Sequence, residues 1–421
     1  MNVAPAGDLR TEDEQLADFV ASFWDDPLGF VIAAYPWKTE KSIQVCKLPE
    51  PWSLVYDSEF GPDAWACQFL EDLGKKIKAR NFDPLTAVPV EPIREAVVSG
   101  HGIGKSAMVG WLVDFIMSTR PNSLGTVTAN TADQLSSKTW AQVVKWTNLC
   151  ITAHWFNITS GKGSMKMVAK EAPSKWACRA QTCREHESEA FAGQHAPTAT
   201  SFYIFDESSN IADIFHEVSE GGLTDGEPMK FAFGNGTRNT GWFKDCFGVS
   251  KHRWGNTHVD SRNVQITNKK EIDNWIEDHG LDSDYIKVRV RGMFPAQSLK
   301  QFISEADVDA AEKRSLRLEQ YNWAPKILTL DNAWEGDDEG VIALRQGLRF
   351  EILRTFAKND NDVQVANVLA QLEDEHHADA VFVDGGYGTG VVSIGRSLGR
   401  EWHIVWFSAE SPDHGCLNLR A

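Results

Sequence analysis

Hydrophobic and polar positions change rhythm along this chain. Residues 1–60 read as a lead-in: an acidic amphipathic stretch over 12–24 predicts a helix, and Pro27, Pro36, Pro49 and Pro51 punctuate the loop after it. From Gly61 apolar residues at helical spacing, among them Trp65, Phe69 and Leu70, run to Lys75, Lys76 and Lys78, the cationic end a helix C-terminus prefers. Past Pro92 the pattern becomes strand, loop, helix. Residues 95–99 form a short apolar strand, 100–104 a Gly-rich turn and 105–119 an amphipathic helix, followed by a strand over 124–128 and a long helix over 131–149. Further strands are predicted over 164–169, 175–182, 201–205 and 229–234. Strands interleaved with helices make an α/β domain with a mostly parallel sheet covered on both faces.

From residue 326 three strands come in quick succession, over 326–331, 340–345 and 349–356. A helix over 362–377, a strand over 380–384, a helix over 390–399 and a strand over 402–407 follow. That order is the order of an RNase H-like nuclease fold. Residues 296–325, with one helix from 304 to about 320, are the natural linker. The expected domains are therefore 61–295 and 326–421, behind the lead-in of 1–60.

The chemistry concentrates at the turn. Ser99-Gly100-His101-Gly102-Ile103-Gly104-Lys105-Ser106 sits between a strand and a helix, the context that separates a phosphate loop from a chance glycine cluster. Glycines let the backbone N–H groups turn toward phosphates at the helix N-terminus. Lys105 would neutralise a γ-phosphate and the Ser106 hydroxyl would bind magnesium. Ser99 stands where GxxxxGK[ST] has its first glycine. About a hundred residues on, the apolar strand Phe202-Tyr203-Ile204-Phe205 ends in Asp206-Glu207. Alone, that is a common strand boundary. Beside a phosphate loop, Asp206 would hold magnesium and Glu207 would act as general base on the attacking water, so the domain reads as a P-loop (ASCE/RecA-like) ATPase. Asn235, at the end of Phe231-Ala232-Phe233-Gly234, is either a γ-phosphate sensor at the sheet's carboxyl edge or a turn residue.

The succession SGHGIGKS, VTANTADQL, YIFDESSNI, FGNGTRNTGWF and DSDYIKVRVRGMFP resembles the large terminase subunit of tailed double-stranded DNA phages, over roughly residues 60–420. That resemblance implies a viral DNA-packaging motor: an N-terminal ATPase that translocates DNA and a C-terminal nuclease that cuts it. It implies double-stranded DNA, a portal protein and procapsid, and a small terminase subunit as partners. It also implies a homo-oligomeric ring when assembled, formed from monomers in solution, in the host cell cytoplasm and transiently on the procapsid. Gly234 and Asn235 match the family's coupling motif, and residues 61–68 its adenine-side motif. There Trp65 is followed by Ala66 in place of glutamine, which leaves Gln68 as the substitute. The family supplies an arginine to the transition state, and Arg184 and Arg179 are the candidates.

Asp331 ends the first strand of the C-terminal domain and Asp384 its fourth, ends that are neighbours in an RNase H-like sheet. Two carboxylates there could share Mg2+ or Mn2+ ions, hard cations that take oxygen ligands. A lone Asp at a strand end is more often a turn former; the match of DNAWEGDD and FVDGGYGTG to the family's nuclease favours the metal reading. Asp337 and Asp338 are either further ligands or turn residues. The family's third carboxylate lies on a helix after an Asn-x-Arg-Ala stretch, and this sequence ends at Asn418-Leu419-Arg420-Ala421. The expectation is a nuclease domain lacking its last helix: either the sequence is a truncated form, or Asp413 or another residue substitutes, and without a third ligand metal binding is weak and cleavage impaired.

Composition changes this picture little. A net charge of -17 argues against non-specific nucleic-acid coating, while Lys162, Lys166, Lys170, Lys175 and Arg179 leave room for a local basic track. Seven cysteines with no CxxC pair read as free thiols in a reducing compartment. Sixteen tryptophans read mostly as core fillers. No apolar stretch is long enough to span a bilayer, and no secretory signal is evident. Two other functions compete: a helicase-like nucleic-acid ATPase with a fused nuclease, and a capsid assembly protein with a decayed nuclease site. The first would need a second nucleotide core after Pro295, and the intact Lys105, Ser106, Asp206 and Glu207 oppose the second for the ATPase.

Overall fold

Two short helices open the described chain. α1 (Glu12–Ala21) starts on a capping box, in which the Thr11 hydroxyl accepts the Glu14 N–H and the Glu14 carboxylate accepts the Thr11 N–H. α2 (Pro27–Ala34) has Pro27 in its first turn and buries Leu28, Phe30 and Val31. The structure is a computed structural model that describes residues 10–161, 164–183, 191, 194–295, 305–333, 339–357 and 361–406. The chain divides into two units, residues 1–308 and 309–421.

In the first unit α3 (Ala64–Arg80) leads to β1 (Ile93–Ser99), α4 (Lys105–Thr119) and β2 (Leu124–Ala129). The helix expected over 131–149 is broken. One α-turn (Ala132–Gln134) passes into a π-helical turn (Leu135–Thr139), in which the Trp140 N–H reaches back five residues to the Leu135 carbonyl, and α5 (Trp140–Leu149) completes it. Then come β3 (Phe156–Thr159), β4 (Lys166–Ala169), β5 (Ala177–Ala180), β6 (Thr200–Asp206), α6 (Asp213–Glu220), β7 (Glu227–Gly234), β8 (Gly255–Val259), α7 (Lys269–His279) and α8 (Asp284–Arg289).

The strands form one sheet in the order β8-β1-β7-β6-β2-β5-β4-β3. It is parallel from β8 to β5 and antiparallel at β4 and β3. The sequence reading lacked β3 and β8. β8, Gly-Asn-Thr-His-Val, has little strand propensity of its own and owes its conformation to the ladder with β1. α4 is not amphipathic: every residue from Met108 to Thr119 is buried, because the sheet, α2 and α5 surround it. Trp37, Trp111, Trp140 and Trp146 fill this core, whereas Trp323 and Trp406 are exposed. Beneath the sheet Arg120, 1% exposed, donates to Glu227 at 2.8 Å and to the Trp24 carbonyl at 2.8 Å, and Arg80 donates to the same Glu227 at 2.9 Å. This buried triad ties the N-terminal segment to β7.

The helix expected over 304–320 ends early, as α9 (Glu305–Glu312). The second unit's sheet comprises β9 (Lys326–Asp331), β10 (Glu339–Gln346), β11 (Arg349–Ala357), β12 (Ala380–Asp384) and β13 (His403–Val405) in the order β11-β10-β9-β12-β13. β9, β10 and β11 pair antiparallel, while β12 joins β9 and β13 joins β12 in parallel. α10 (Asp362–His376) and α11 (Thr389–Ser397) pack on it through Leu369, Val391 and Val392, all buried. Among the described residues no helix is long and apolar enough to cross a membrane, and the described cysteines are free.

Candidate active site

The Gly-rich turn is held tightly against its neighbours. A side chain at Gly100 would run into the Ser261 hydroxyl and the Val290 carbonyl, and Gly102 and Gly104 adopt positive φ of 76° and 88°. Three bonds brace the turn: the Ser261 hydroxyl donates to the His101 carbonyl at 2.7 Å, the His101 N–H to the Arg289 carbonyl at 2.7 Å, and the Trp65 indole N–H to the Ile103 carbonyl at 3.1 Å. Burial, with Lys105 and Arg289 nearby, pulls His101 down to about 4, so its ring is neutral at physiological pH.

Lys105, first residue of α4, bends back over the turn. Its Nζ donates to Ser99 Oγ at 3.1 Å and to Asn235 Oδ1 at 3.3 Å, and Asn235 Nδ2 donates to the Ser99 carbonyl at 2.6 Å. The hydroxyl at Ser99 thus serves as a lysine acceptor that glycine would lack. Asn235, 3% exposed, bridges the ends of β1 and β7. Burial pulls the Lys105 ammonium down, opposed by the Glu207 and Asp206 carboxylates.

On the other side of Lys105, Asp206 ends β6 and is 3% exposed. Its Oδ2 accepts the Thr139 hydroxyl at 2.7 Å and the Ser106 hydroxyl at 3.4 Å, and its Oδ1 accepts the Glu207 N–H at 3.1 Å. Burial pushes its carboxyl up, and the Thr139 bond opposes this. Among the described residues no cationic side chain forms an ion pair with it. A buried carboxylate flanked by a serine hydroxyl is an all-oxygen donor set of the kind a hard divalent cation takes. Glu207 adopts a left-handed backbone conformation with φ 55°, uncommon for a non-glycine residue and a form of strain that clusters at functional sites.

These groups open onto a cleft of about 610 Å³ whose walls include Trp65, Ile103, Lys105, Ser106, Glu207 and Asn235. Gln68 is not among them. It lies on α3 over a neighbouring hollow that Trp65 also lines, and donates to Asp72, one helical turn further on, at 2.9 Å. Arg184 lies outside the described residues, and Arg179 is exposed on β5. The tip of β2 is in register with β6, with Ala129 opposite Asp206.

In the second unit β9 and β12 are in parallel register with Leu330 opposite Val383, so Asp331 and Asp384 end neighbouring strands at one edge. Asp384 Oδ2 accepts the Gly386 N–H at 3.0 Å, and Asp331 is exposed. Asp337, Asp338 and Asp413 lie outside the described residues. No cluster of three or more His, Cys, Asp or Glu side chains suited to a metal occurs among the described residues.

Sequence reasoning missed Thr139, whose Ser-Ser-Lys-Thr context carries no motif, and the Ser261 and Arg289 segment that braces the turn from far along the chain.

No protein-family model matches the chain. It is 25% identical over 268 residues, 59% of its length, to the "Probable terminase, large subunit" of Enterobacteria phage P7. It spans about half, 51%, of that relative. Among solved structures it is similar to the large terminase of bacteriophage HK97, at 10% identity and a TM-score of 0.49, covering 91% of this chain and 84% of that one. The large terminase of a thermophilic bacteriophage in complex with ADP aligns at 9% identity and a TM-score of 0.40, covering 74% of this chain and 77% of that one. The ATPase domain of the Thermus phage P74-26 large terminase aligns at 18% identity and a TM-score of 0.34, covering 48% and 88%. The chain is similar to phage large terminase subunits.

Proposed function

We propose that this protein is the ATP-hydrolysing large subunit of a phage DNA-packaging motor, which translocates double-stranded DNA into a procapsid. The observation that carries the reading is the convergence of Lys105, Ser106, Asp206, Glu207 and Asn235 around one cleft at the carboxyl edge of a parallel sheet. Residues 99–106 cradle the phosphates of ATP, with Trp65 bracing the loop. Lys105 exchanges its bonds to Ser99 and Asn235 for the γ-phosphate, and Asn235 thereby registers whether that phosphate is present. Ser106 and Asp206 would hold a magnesium ion, which neutralises charge on the phosphates. Glu207 orients the attacking water and takes its proton.

In the second unit the strand order and the paired ends of Asp331 and Asp384 support an RNase H-like nuclease, in which the two carboxylates would hold Mg2+ or Mn2+ for cleavage of the packaged DNA. The likeness to a large terminase subunit fits the assembly this entails: a ring on a portal, served by a small terminase subunit.

The test is ATP binding and turnover with and without double-stranded DNA. Glu207→Gln should bind ATP with magnesium yet lose about 10²–10⁴-fold in turnover, whereas Lys105→Ala should lose nucleotide binding. Turnover of Glu207→Gln within a few-fold of the parent refutes the assignment.

A further inference from the structure

The carboxylate at the end of β6 carries more than the phosphate loop accounts for. Asp206 Oδ2 accepts two hydroxyls, and the shorter bond, at 2.7 Å, comes from Thr139 rather than from Ser106 at 3.4 Å. Thr139 is itself 1% exposed, 67 residues away in sequence and on no element of the loop. A hydroxyl on a buried carboxylate is a charge-assisted bond, short and directional.

What delivers this hydroxyl is an irregularity of the backbone. Thr139 closes the π-helical turn Leu135–Thr139, wider by one residue than an α-turn, and the next N–H, of Trp140, bonds to the Leu135 carbonyl. Both ends of the turn are anchored: Leu135 and Trp140 are fully buried, and the Trp140 indole N–H donates to the Thr159 carbonyl at 2.8 Å. Leu135, Thr139, Trp140 and Val143 are all buried, and the wider turn brings Trp140 round toward the face of Leu135. The same turn sets Ser137 and Lys138 into the cleft wall. π-bulges are rare and occur frequently at functional sites.

We propose that Thr139 is a positioning residue for ATP hydrolysis: its hydroxyl, carried by the π-turn, fixes the Asp206 carboxylate in the orientation that receives the divalent cation. This rests on the ATPase reading above and adds to it a residue outside the phosphate loop and the Asp-Glu pair. With Thr139 on one lone pair of Oδ2, the Asp206 carboxylate is oriented before any cation arrives and would offer a divalent ion its remaining lone pairs. The turn also joins Asp206 to α5, whose Gln142 and Lys145 line the same cleft.

The test compares the full chain with Thr139→Val, Thr139→Ala and Thr139→Ser, measuring magnesium-dependent binding of a fluorescent ATP analogue together with ATP turnover as magnesium is titrated at fixed nucleotide. Loss of a partner that orients a metal ligand costs about 10- to 100-fold in metal affinity. Thr139→Val and Thr139→Ala should therefore raise the magnesium concentration for half-maximal turnover about tenfold or more, and Thr139→Ser should restore it to within about threefold of the parent. A role in packing alone predicts the opposite ranking, with Ser and Ala equally impaired and the magnesium dependence unmoved. Parental magnesium dependence in both Val and Ala variants, with the parent active, overturns this assignment and leaves the ATPase standing. A parent that neither binds nor hydrolyses ATP overturns both.

Discussion

Replacing Asp114 by asparagine tests the interior of the phosphate-loop helix. Asp114 lies midway along α4, 1% exposed, where it accepts the Tyr35 hydroxyl at 2.8 Å and the Thr147 hydroxyl at 2.6 Å. Burial lifts its carboxyl from 3.8 to about 7, against the pull of those two bonds. Between those values the folded protein keeps a proton on Asp114 that the unfolded chain has released. The unfolded state then binds fewer protons, and stability falls as pH rises through the window, with the full cost in place above about pH 7. At roughly 1.4 kcal/mol per pH unit the full cost is about 4 kcal/mol, of which about 2 kcal/mol accrues between pH 5.5 and 8. Asparagine has nearly the same shape, pairs with the same two hydroxyls and does not ionise. Urea unfolding followed by tryptophan fluorescence, which reports on Trp111 in α4 and Trp146 in α5, should show Asp114→Asn gaining about 2 kcal/mol on the parent between pH 5.5 and 8. A difference independent of pH, or a loss that grows with pH, refutes the reasoning.

Two further outcomes are expected. Arg120→Ala leaves the Glu227 carboxylate buried with Arg80 as its remaining cationic partner, and should cost about 3–5 kcal/mol in chemical unfolding; a cost below 1 kcal/mol would show that Arg80 alone suffices. Manganese at millimolar concentration should raise the melting temperature of the second unit by binding its folded state. Asp384→Asn should abolish that rise together with plasmid nicking and leave ATP turnover intact; nicking that survives the substitution removes Asp384 from the metal site.

Much of the site was legible from local pattern, since each feature that revealed it lies within one element. The apolar strand, the glycines of 100–104 and the helix from Lys105 are contiguous, and the helix bounds of 105–119 follow from the turn at one end and Arg120 at the other. The strand tip at Asp206-Glu207 was legible because the apolar run Phe202-Tyr203-Ile204-Phe205 ends there. The strand over 380–384 likewise ends on Asp384, where the apolar run gives way to glycines. Gln68 was singled out by residue type, and residue type alone did not reveal its bond to Asp72 one helical turn away.

By itself the sequence determined where strands end in polar residues and which of those ends are candidates for phosphate- or metal-binding chemistry, because period and turn chemistry are short-range. Only the tertiary structure decided which ends meet. The registers of β2 with β6 and of β9 with β12 bring Ala129 beside Asp206 and Asp331 beside Asp384 through pairings tens of residues apart. β8 is a strand only because β1 templates it. Thr139 meets Asp206, 67 residues away, from a π-turn flanked by the buried Leu135 and Trp140, and no local rule of hydrophobic spacing encodes that contact.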